Sequence, residues 1–213
     1  MTKNPSSPSQ SRGRPVDAAA QELQKQKLMA AAFQLLNDKS YKSITIREIA
    51  ELADTKSAMI SYYFGNKSGL FVAMLKNEIK DMPQLLVAVK NADNPIKCFI
   101  EQFLQLATKN SAIIRFIHDE VLNQRSPLND EFLNTMPKAI SVFLPLLVEQ
   151  EIQQGNFRRD LNAKYAAFTL MGMIMSPFVI EPIREQVWHI SKQDLAQPAW
   201  AEHIYQLFIT GCK

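Results

Sequence analysis

Hydrophobic residues recur at helical spacing along almost the whole chain, and few segments alternate with the period of two that a β-strand requires. Between Ala20 and Asp38, for example, Met29, Phe33 and Leu36 fall on one side of a helix. The pattern therefore predicts an all-α protein whose first helix packs a wide apolar stripe inward.

Residues 43–70 are predicted to form two short helices joined by a tight turn, with a third helix starting at Asn66. Thr45 and Glu48 have the spacing of a capping box, which marks the start of the first helix. Asp54 tolerates left-handed backbone and is expected to make the turn, with Thr55 capping the helix that follows.

The second short helix is predicted to leave a polar face free. Its inner stripe is Ile60, Tyr63 and Phe64. The outward positions, which carry no acid, are Lys56, Ser57, Ser61 and Tyr62. A short helix whose free face donates hydrogen bonds and tolerates phosphate meets the requirements of a DNA major-groove reader.

After Pro83 the chain is expected to form six or seven more helices, arranged as a bundle around its own core. Two of them, Pro137–Gln154 and Ala163–Ile180, are apolar enough to pair with a second subunit. Pro145 and Pro177 fall inside these helices and predict kinks. Three small residues are expected to let helices of the dimer approach closely: Ala166, Ala167 and Gly172.

Charge strengthens the prediction of a DNA-binding segment. The 213 residues carry a net charge of +3, with 46% hydrophobic and 21% charged residues, as in an ordinary globular protein. Residues 1–67 hold ten Lys or Arg against six Asp or Glu, whereas the remainder is nearly neutral. The basic excess thus coincides with the helix-turn-helix pattern, which favours a polyanionic partner.

The first 20 residues are rich in Ser, Pro, Gln and Ala and are expected to be a flexible basic arm. Arg12 and Arg14 are separated by one glycine, so they either enter a narrow minor groove or form an ordinary basic tail. The arm lacks the apolar core of a signal peptide, and Cys98 and Cys212 lack metal or redox spacing. A cytoplasmic location without membrane contact is therefore expected.

The order of these features resembles the TetR family of bacterial transcriptional regulators. A helix leads into ITIREIAELADTKSAMISYYFGNKSGL, and about 140 helical residues follow. The resemblance is dense over Leu28–Leu75, especially in IREIAELA and YYFGNKSGLFVAML. One departure is Asp54, which stands where the family usually has glycine, and which can adopt the same backbone conformation.

The resemblance assigns DNA-contacting roles to positions in and around the two motif helices. It places Arg47, Ser57, Met59 and Ser61 in the groove, and Thr45, Lys56, Tyr62, Tyr63 and Lys67 at phosphates. Arg47 can reach a guanine edge, as bidentate arginines commonly do. Met59 either packs inward or lies against a thymine methyl group, and Tyr63 divides between an inward ring and an outward hydroxyl.

The resemblance also implies a helical domain for dimerisation and ligand binding, with an effector cavity inside it. Candidate cavity residues are Phe103, Arg115, His118, Met171, Met175 and Trp188. Most large side chains of this region are expected to be plain core, including Phe99, Phe116, Phe132, Phe168 and Phe178. Late helices of two subunits would form a four-helix bundle, and the two reading helices would then match a palindromic operator.

The predicted organisation is a flexible arm (1–20), a helix-turn-helix DNA-binding domain (21–67) and a helical ligand-binding and dimerisation domain (68–213). The predicted function is a sequence-specific regulator of transcription, a repressor released from double-stranded operator DNA by a small-molecule effector. An architectural, nonspecific DNA-binding protein is the alternative. A helical interaction module without DNA binding is a third reading, for which Asp54 in the turn is the one hint.

An enzyme is disfavoured because the chain lacks a nucleophile–base pair, HExxH spacing and a phosphate-binding glycine loop. His118, Asp119 and Glu120 are adjacent on a predicted helix, where neighbours point about 100° apart, so they do not converge on one metal ion. Arg115 with Asp119, at i,i+4, is expected to make an ordinary surface pair. No cofactor is expected.

Overall fold

A computed structural model describes residues 18–122 and 129–213, and every regular element within those ranges is helical. The all-α expectation is therefore confirmed. Arg12 and Arg14 lie outside the described residues. None of the helices in the described ranges is long and apolar enough to cross a membrane.

The first four helices share one hydrophobic cluster. They are α1 (Ala18–Asp38), α2 (Ile46–Leu52), α3 (Ala58–Phe64) and α4 (Lys67–Glu78). Leu28, Ile49, Ile60 and Leu70, one from each helix, are completely shielded from solvent in this cluster. The predicted first helix and helix-turn-helix are confirmed, and the buried side of α4 belongs to the same core.

The second cluster fills a bundle built mainly from five longer helices. These are α5 (Met82–Lys90), α6 (Pro95–Lys109), α9 (Met136–Gln153), α10 (Ala163–Val179) and α13 (Pro198–Cys212). Shorter helices are α7 (Ser111–Phe116), α8 (Asn129–Leu133), α11 (Glu181–Gln186) and α12 (Lys192–Leu195), and a π-helical turn spans Ile117–Val121. The described part thus has more helices here than the predicted six or seven, because short helices interrupt the expected long ones.

Helix α7 joins the two clusters. Its Phe116 ring lies 5.2 Å from the Tyr41 ring and 5.3 Å from the Phe71 ring, centroid to centroid. Tyr41 and Phe71 also meet edge to face at 4.8 Å. Just beyond, Lys42 lies 3.4 Å from Glu120. The loop before α2, helix α4 and helix α7 are therefore packed together at one junction.

Several predictions for the late helices need correction. Ala166 and Ala167 are buried inside the subunit, so they pack α10 on its own core and are not available to a partner. Phe168, predicted to be core, is 81% exposed because its side of α10 faces away from the bundle. Pro145 and Pro177 lie within helices that continue through them.

Candidate nucleic-acid interface

A capping box fixes the start of α2. The Thr45 hydroxyl accepts a hydrogen bond from the Glu48 backbone N–H at 3.2 Å, and the Thr45 backbone N–H donates to the Glu48 carboxylate at 2.8 Å. Lys39 Nζ lies 2.5 Å from the same carboxylate. This confirms the predicted cap and ties the end of α1 to α2. The Thr45 hydroxyl also donates to Glu48, so a phosphate contact requires it to exchange that bond.

The Glu48 carboxylate predicts a pH dependence of stability. Hydrogen bonds from Lys39 and Thr45 lower the pKa of Glu48 from 4.5 to about 2. A group with a depressed pKa in the folded state stabilises it above the unfolded pKa, and this contribution is lost as the pH falls through the folded pKa. Glu48→Gln keeps the cap geometry but removes the charge, so it is expected to lower the melting temperature near neutral pH.

Melting curves recorded between about pH 6 and about pH 3 test this prediction. This pH range begins above the ordinary pKa of glutamate and extends toward the lowered pKa of Glu48. The difference in melting temperature between the wild type and Glu48→Gln should be constant above the ordinary pKa of 4.5 and should shrink as the pH falls toward 2. A difference that stays the same at every pH would show that the carboxylate charge does not contribute.

The turn between the motif helices uses left-handed backbone at Asp54, where φ is 50°. Aspartate therefore fills the position that usually holds glycine, as expected. The prediction that Thr55 caps α3 is wrong. The Thr55 N–H closes the turn on the Ala50 carbonyl at 2.9 Å, and the residue at the cap position is Ser57, which makes no side-chain capping bond.

Helix α3 presents the predicted polar face. Ile60 is completely buried, whereas Tyr62 is 67% exposed. Lys56 and Ser61 are exposed and Ser57 is half-buried. Met59 and Tyr63 are partly buried and pack against the N-terminal cluster, although both keep part of their surface in solvent. The predicted groove residues of α3 are thus all at least partly exposed to solvent.

Arg47 is exposed on α2 and is already engaged by a carboxylate. Its Nε donates to Glu51 at 2.8 Å, one helical turn away, and this pair raises the pKa of Arg47. Both side chains are well exposed. The guanidinium must therefore leave Glu51 to bind a base or phosphate, a competition that the sequence prediction had not included.

Lys67 stabilises the motif from within. Its ammonium donates to the Ile44 carbonyl at 2.5 Å and to the Tyr41 carbonyl, and it lies 4.1 Å from the centre of the Tyr41 ring. Burial lowers the pKa of Lys67. Two of its three ammonium donors are used by the loop before α2, so one remains for a phosphate.

The site prediction did not include two glycines at the junction of α3 and α4, Gly65 after α3 and Gly69 in the first turn of α4. Gly65 ends α3 with a φ of 76°, and Asn66 then caps α4 by accepting the Gly69 N–H at 2.8 Å. A Cβ on Gly69 would lie 2.0 Å from the Phe64 backbone oxygen. Gly69 therefore allows α4 to approach the end of the reading helix. The GNKSGL string was the available signal.

The structure does not bring the six candidate effector residues together. Phe103 is buried and stacks on Phe99 at 4.2 Å, as a core residue does. Met171 and Met175 are partly buried on α10 against the C-terminal core. Trp188 is 70% exposed, so it lines no interior cavity of the subunit.

The remaining two candidates are engaged in polar contacts. Arg115 pairs with Glu181 at 2.6 Å, which replaces the pair predicted with Asp119, because α11 lies closer to its guanidinium. His118 is half exposed and its Nδ1 lies 2.9 Å from Asp119. Glu181 also lies 4.0 Å from Arg184, a buried arginine.

A cleft of about 610 Å³ opens elsewhere, between the end of α4, helix α5 and helix α6. Residues of α4 and the following corner contribute Asn77, Glu78, Lys80 and Asp81. None of the six candidates lines it. It is larger than the cavity between α1 and α7, which measures about 260 Å³.

Helices α9 and α10 expose an apolar face. Val142 and Leu146 of α9 are 61% and 52% exposed, and Tyr165 and Phe168 of α10 are 74% and 81% exposed. Gly172 continues this face one turn beyond Phe168. Exposed apolar side chains of this size on two helices that pack together mark a surface for protein association.

The N-terminal part of the chain is similar to a known family of proteins. Residues 28–74 match the model of bacterial regulatory proteins of the tetR family. The probable HTH-type transcriptional regulator YttP of Bacillus subtilis strain 168 is 24% identical over 161 residues, which are 73% of this chain and 77% of that protein. The matched segment contains the whole helix-turn-helix.

Solved structures resemble the chain over most of its length. FadR of Bacillus subtilis in complex with stearoyl-CoA has a TM-score of 0.72 at 17% identity, over 88% of this chain and 99% of that one. FadR of Bacillus halodurans, a fatty acid degradation regulator, has a TM-score of 0.70 at 15% identity, over 88% and 99%. AibR in complex with isovaleryl coenzyme A and operator DNA has a TM-score of 0.68 at 19% identity, over 87% and 98%.

Proposed function

We propose that this chain, whose residues 28–74 match the model of bacterial regulatory proteins of the tetR family, is a member of that family and a DNA-binding regulator of transcription that acts as a homodimeric repressor controlled by a small-molecule effector. The observation that carries the proposal is that the subunit has two separate exposed faces. One is the polar, acid-free face of α3, and the other is the apolar face on α9 and α10. The first supports DNA reading and the second supports a dimer.

In this proposal α3 enters the major groove. Ser57, Met59 and Ser61, with Arg47 from α2, face the bases. Phosphate contacts come from Thr45, Lys56, Tyr62, Tyr63 and Lys67, and minor-groove contacts from Arg12 and Arg14. Phosphate contacts fix the register, whereas base contacts select the sequence.

A two-fold dimer follows from the small reach of one reading helix. In the proposed dimer, α9 and α10 of two subunits bury their exposed apolar side chains in a four-helix bundle. Two α3 helices spaced about 34–36 Å apart then match successive major grooves of a palindromic operator. Residues 1–20, 21–67 and 68–213 would serve as arm, DNA-binding domain and effector and dimer domain.

An acyl-coenzyme A is the effector class that we propose to test first. Two structural neighbours are complexes with stearoyl-CoA and isovaleryl coenzyme A, and the second also holds operator DNA. Release of the operator requires that the ligand bind one arrangement of the dimer more tightly than the other. An effector that left operator affinity unchanged at fixed salt would contradict this control.

Arg47→Ala is the variant that separates sequence-specific binding from nonspecific binding. Loss of a bidentate base contact is expected to weaken operator binding by about 1–3 kcal/mol and to relax one base position. Fluorescence anisotropy on an operator selected from genomic fragments, and on its single-base variants, measures both effects. Glu51→Gln should tighten binding, because it frees the guanidinium and removes a negative charge from the surface.

Arg159→Ala is the matched control, since it removes an exposed arginine outside the proposed interface. It should leave the base preference unchanged. If Arg47→Ala weakened binding to every sequence equally, Arg47 would be a phosphate contact only, as the architectural alternative predicts.

A further inference from the structure

Helix α11 and the turn that follows it expose an apolar patch that the described part of the subunit leaves uncovered. The patch, named here the α11 patch, consists of Ile180, Ile183, Val187 and Trp188, whose exposed fractions run from 44% to 70%. Ile180, Ile183 and Val187 have the i, i+3 and i+7 spacing of one helix face. Large apolar side chains exposed so close together in the chain mark a surface that binds another molecule.

A buried arginine holds the α11 patch in place. Arg184 is 4% exposed, and its Nε donates to the Pro177 carbonyl at 2.9 Å while its Nη1 donates to the Ile190 carbonyl. Pro177 lies in α10 before the patch and Ile190 follows it, so one side chain ties both ends of the segment together. Hydrogen bonds from a charged donor are among the stronger ones in a protein. The α11 patch is therefore presented to solvent by a fixed backbone.

The α11 patch continues an exposed ridge of α10. Tyr165, Phe168, Gly172 and Ser176 are all exposed and follow one another three or four positions apart, as residues on one helix face do. Ile180 comes four positions later, and its N–H donates to the Ser176 carbonyl at 3.0 Å, so the helical turn reaches it. The patch therefore adjoins the α10 face that is proposed to bind a second subunit.

The ridge is self-complementary about its middle. Phe168 stands four residues before Gly172, and Ile180 stands four residues after Ser176, so large side chains flank two small ones. In a two-fold interface, a residue that contacts a second position of the partner is contacted in return by that position. An antiparallel pair of α10 helices that crosses between Gly172 and Ser176 therefore sets each Phe168 against the partner's Ile180. This symmetry points to a second copy of the chain as the occupant of the patch.

The same crossing brings the α11 patch to the partner's α10. Because α11 follows the end of α10, it lies beside the beginning of the antiparallel helix, where the partner's Tyr165 is exposed. Stable dimers bury about 800 Å² on each subunit. The face of α9 and α10 offers four large exposed apolar side chains, and the α11 patch doubles that number. The extended face is therefore better matched to the area that a stable dimer needs.

The charges around the α11 patch do not suit DNA or an anionic membrane. Helix α11 carries Glu181 and Glu185, and its arginine is buried. The Glu181 carboxylate lies 2.6 Å from Arg115, and the Glu185 carboxylate lies 3.0 Å from Arg184. A polyanion binds where positive charge is in excess, and these pairs leave no excess on α11. An apolar protein surface is therefore the occupant that this chemistry favours.

We infer that the α11 patch packs on the beginning of the partner's α10, with Trp188 as an anchor residue and with the two α10 helices antiparallel. This packing rests on the proposed homodimer and extends its interface beyond α9 and α10. Tryptophan is a frequent anchor at interfaces because it buries a large apolar area.

Tryptophan fluorescence of the full chain measures the burial of Trp188. The chain has two tryptophans, so Trp200→Phe leaves Trp188 as the only one. In this variant, acrylamide should quench the dimer about twofold less strongly than the Phe168→Asp form, in which the subunits separate, because an anchor residue loses its contact with solvent. Trp188→Phe, which leaves Trp200, is the matched control. Its quenching should be the same with and without Phe168→Asp.

Disulfide crosslinking tests the antiparallel pairing independently of fluorescence. In a Cys98→Ser background, where the remaining Cys212 is buried, a mixture of Phe168→Cys and Ile180→Cys subunits should form crosslinked heterodimers on oxidation. Phe168→Cys alone is the control. In the antiparallel pair its two copies lie about 18 Å apart along the helices, at 1.5 Å per residue, which is beyond the reach of a disulfide.

Both results are required. A dimer in which Trp188 is quenched as strongly as in the Phe168→Asp form, or in which the mixed subunits do not crosslink, overturns the inference while the proposed homodimer stands. Sedimentation is measured in parallel. A wild type that sediments as a monomer at every concentration would contradict the proposed homodimer itself.

Discussion

Gly69→Ala is expected to abolish operator binding and to destabilise the N-terminal cluster by several kcal/mol. The added methyl group would lie 2.0 Å from the Phe64 backbone oxygen, at the end of the reading helix. A backbone atom cannot turn aside as a long side chain can, so α3 and α4 must separate. Separation would disturb the packing of Ile60 and Leu70, both completely buried.

Chemical denaturation and operator anisotropy of the full chain measure the two effects. Gly172→Ala is the matched control, because a Cβ there meets no atom within 4 Å. It lies on the α10 face, so its readout is restricted to denaturation of the subunit, which should show a stability equal to that of the wild type or up to about 1 kcal/mol higher, because alanine favours a helix interior over glycine. Normal operator affinity in Gly69→Ala would show that the close approach of α3 and α4 does not position the reading helix.

Phe168→Asp is expected to separate the dimer and, as a consequence, to remove high-affinity operator binding. Phe168 is 81% exposed in the subunit, more than Val142, Leu146 or Tyr165 of the same apolar face. An aromatic anchor at an interface commonly contributes about 2 kcal/mol or more, and a two-fold axis counts it twice. Two aspartates brought together would add repulsion.

Sedimentation analysis over a range of concentrations measures the dimer, and anisotropy on whole and half operators measures the DNA readout. Leu207→Asp on α13 is the control, since Leu207 is 54% exposed and lies outside the α9 and α10 face. A Phe168→Asp protein that still sedimented as a dimer would place the interface elsewhere.

Local signals explain why much of the DNA-binding motif could be predicted from the sequence. The Thr45 and Glu48 cap, the left-handed Asp54 and the Asn66 cap each depend on neighbours within a few residues. Their geometry is set by short-range hydrogen bonds and backbone preferences, which the residue types alone reveal. The N-terminal packing then follows from the helical spacing of apolar residues.

Tertiary contacts explain what could not be predicted. Whether an aromatic residue on an apolar helix is core or surface depends on which side meets the bundle, so Phe168 was misplaced and Trp188 was assigned to a cavity that it does not line. The pairing of Arg115 with Glu181 joins residues 66 positions apart. Spacing along one helix carries no information about such a partner.

Arg47 is another residue whose behaviour could not be predicted from the sequence alone, because Glu51 competes with DNA for its guanidinium. The i,i+4 pair with Glu51 was visible in the sequence, yet only the structure shows that the pair forms and that both side chains are exposed. A charge pair of this kind contributes little to stability at an exposed site. Its larger effect here is on DNA binding, because the guanidinium must exchange partners.

This chain is expected to recognise a particular DNA sequence. The most direct measurement is selection of genomic fragments on the full-length protein, followed by anisotropy competition between the selected site and its scrambled version at one fixed salt concentration. A sequence-specific dimer is expected to select a two-fold symmetric site and to bind it at least about 10³-fold more tightly than the scrambled DNA. Equal affinity for both, with the same steep salt dependence, would contradict it and establish nonspecific binding.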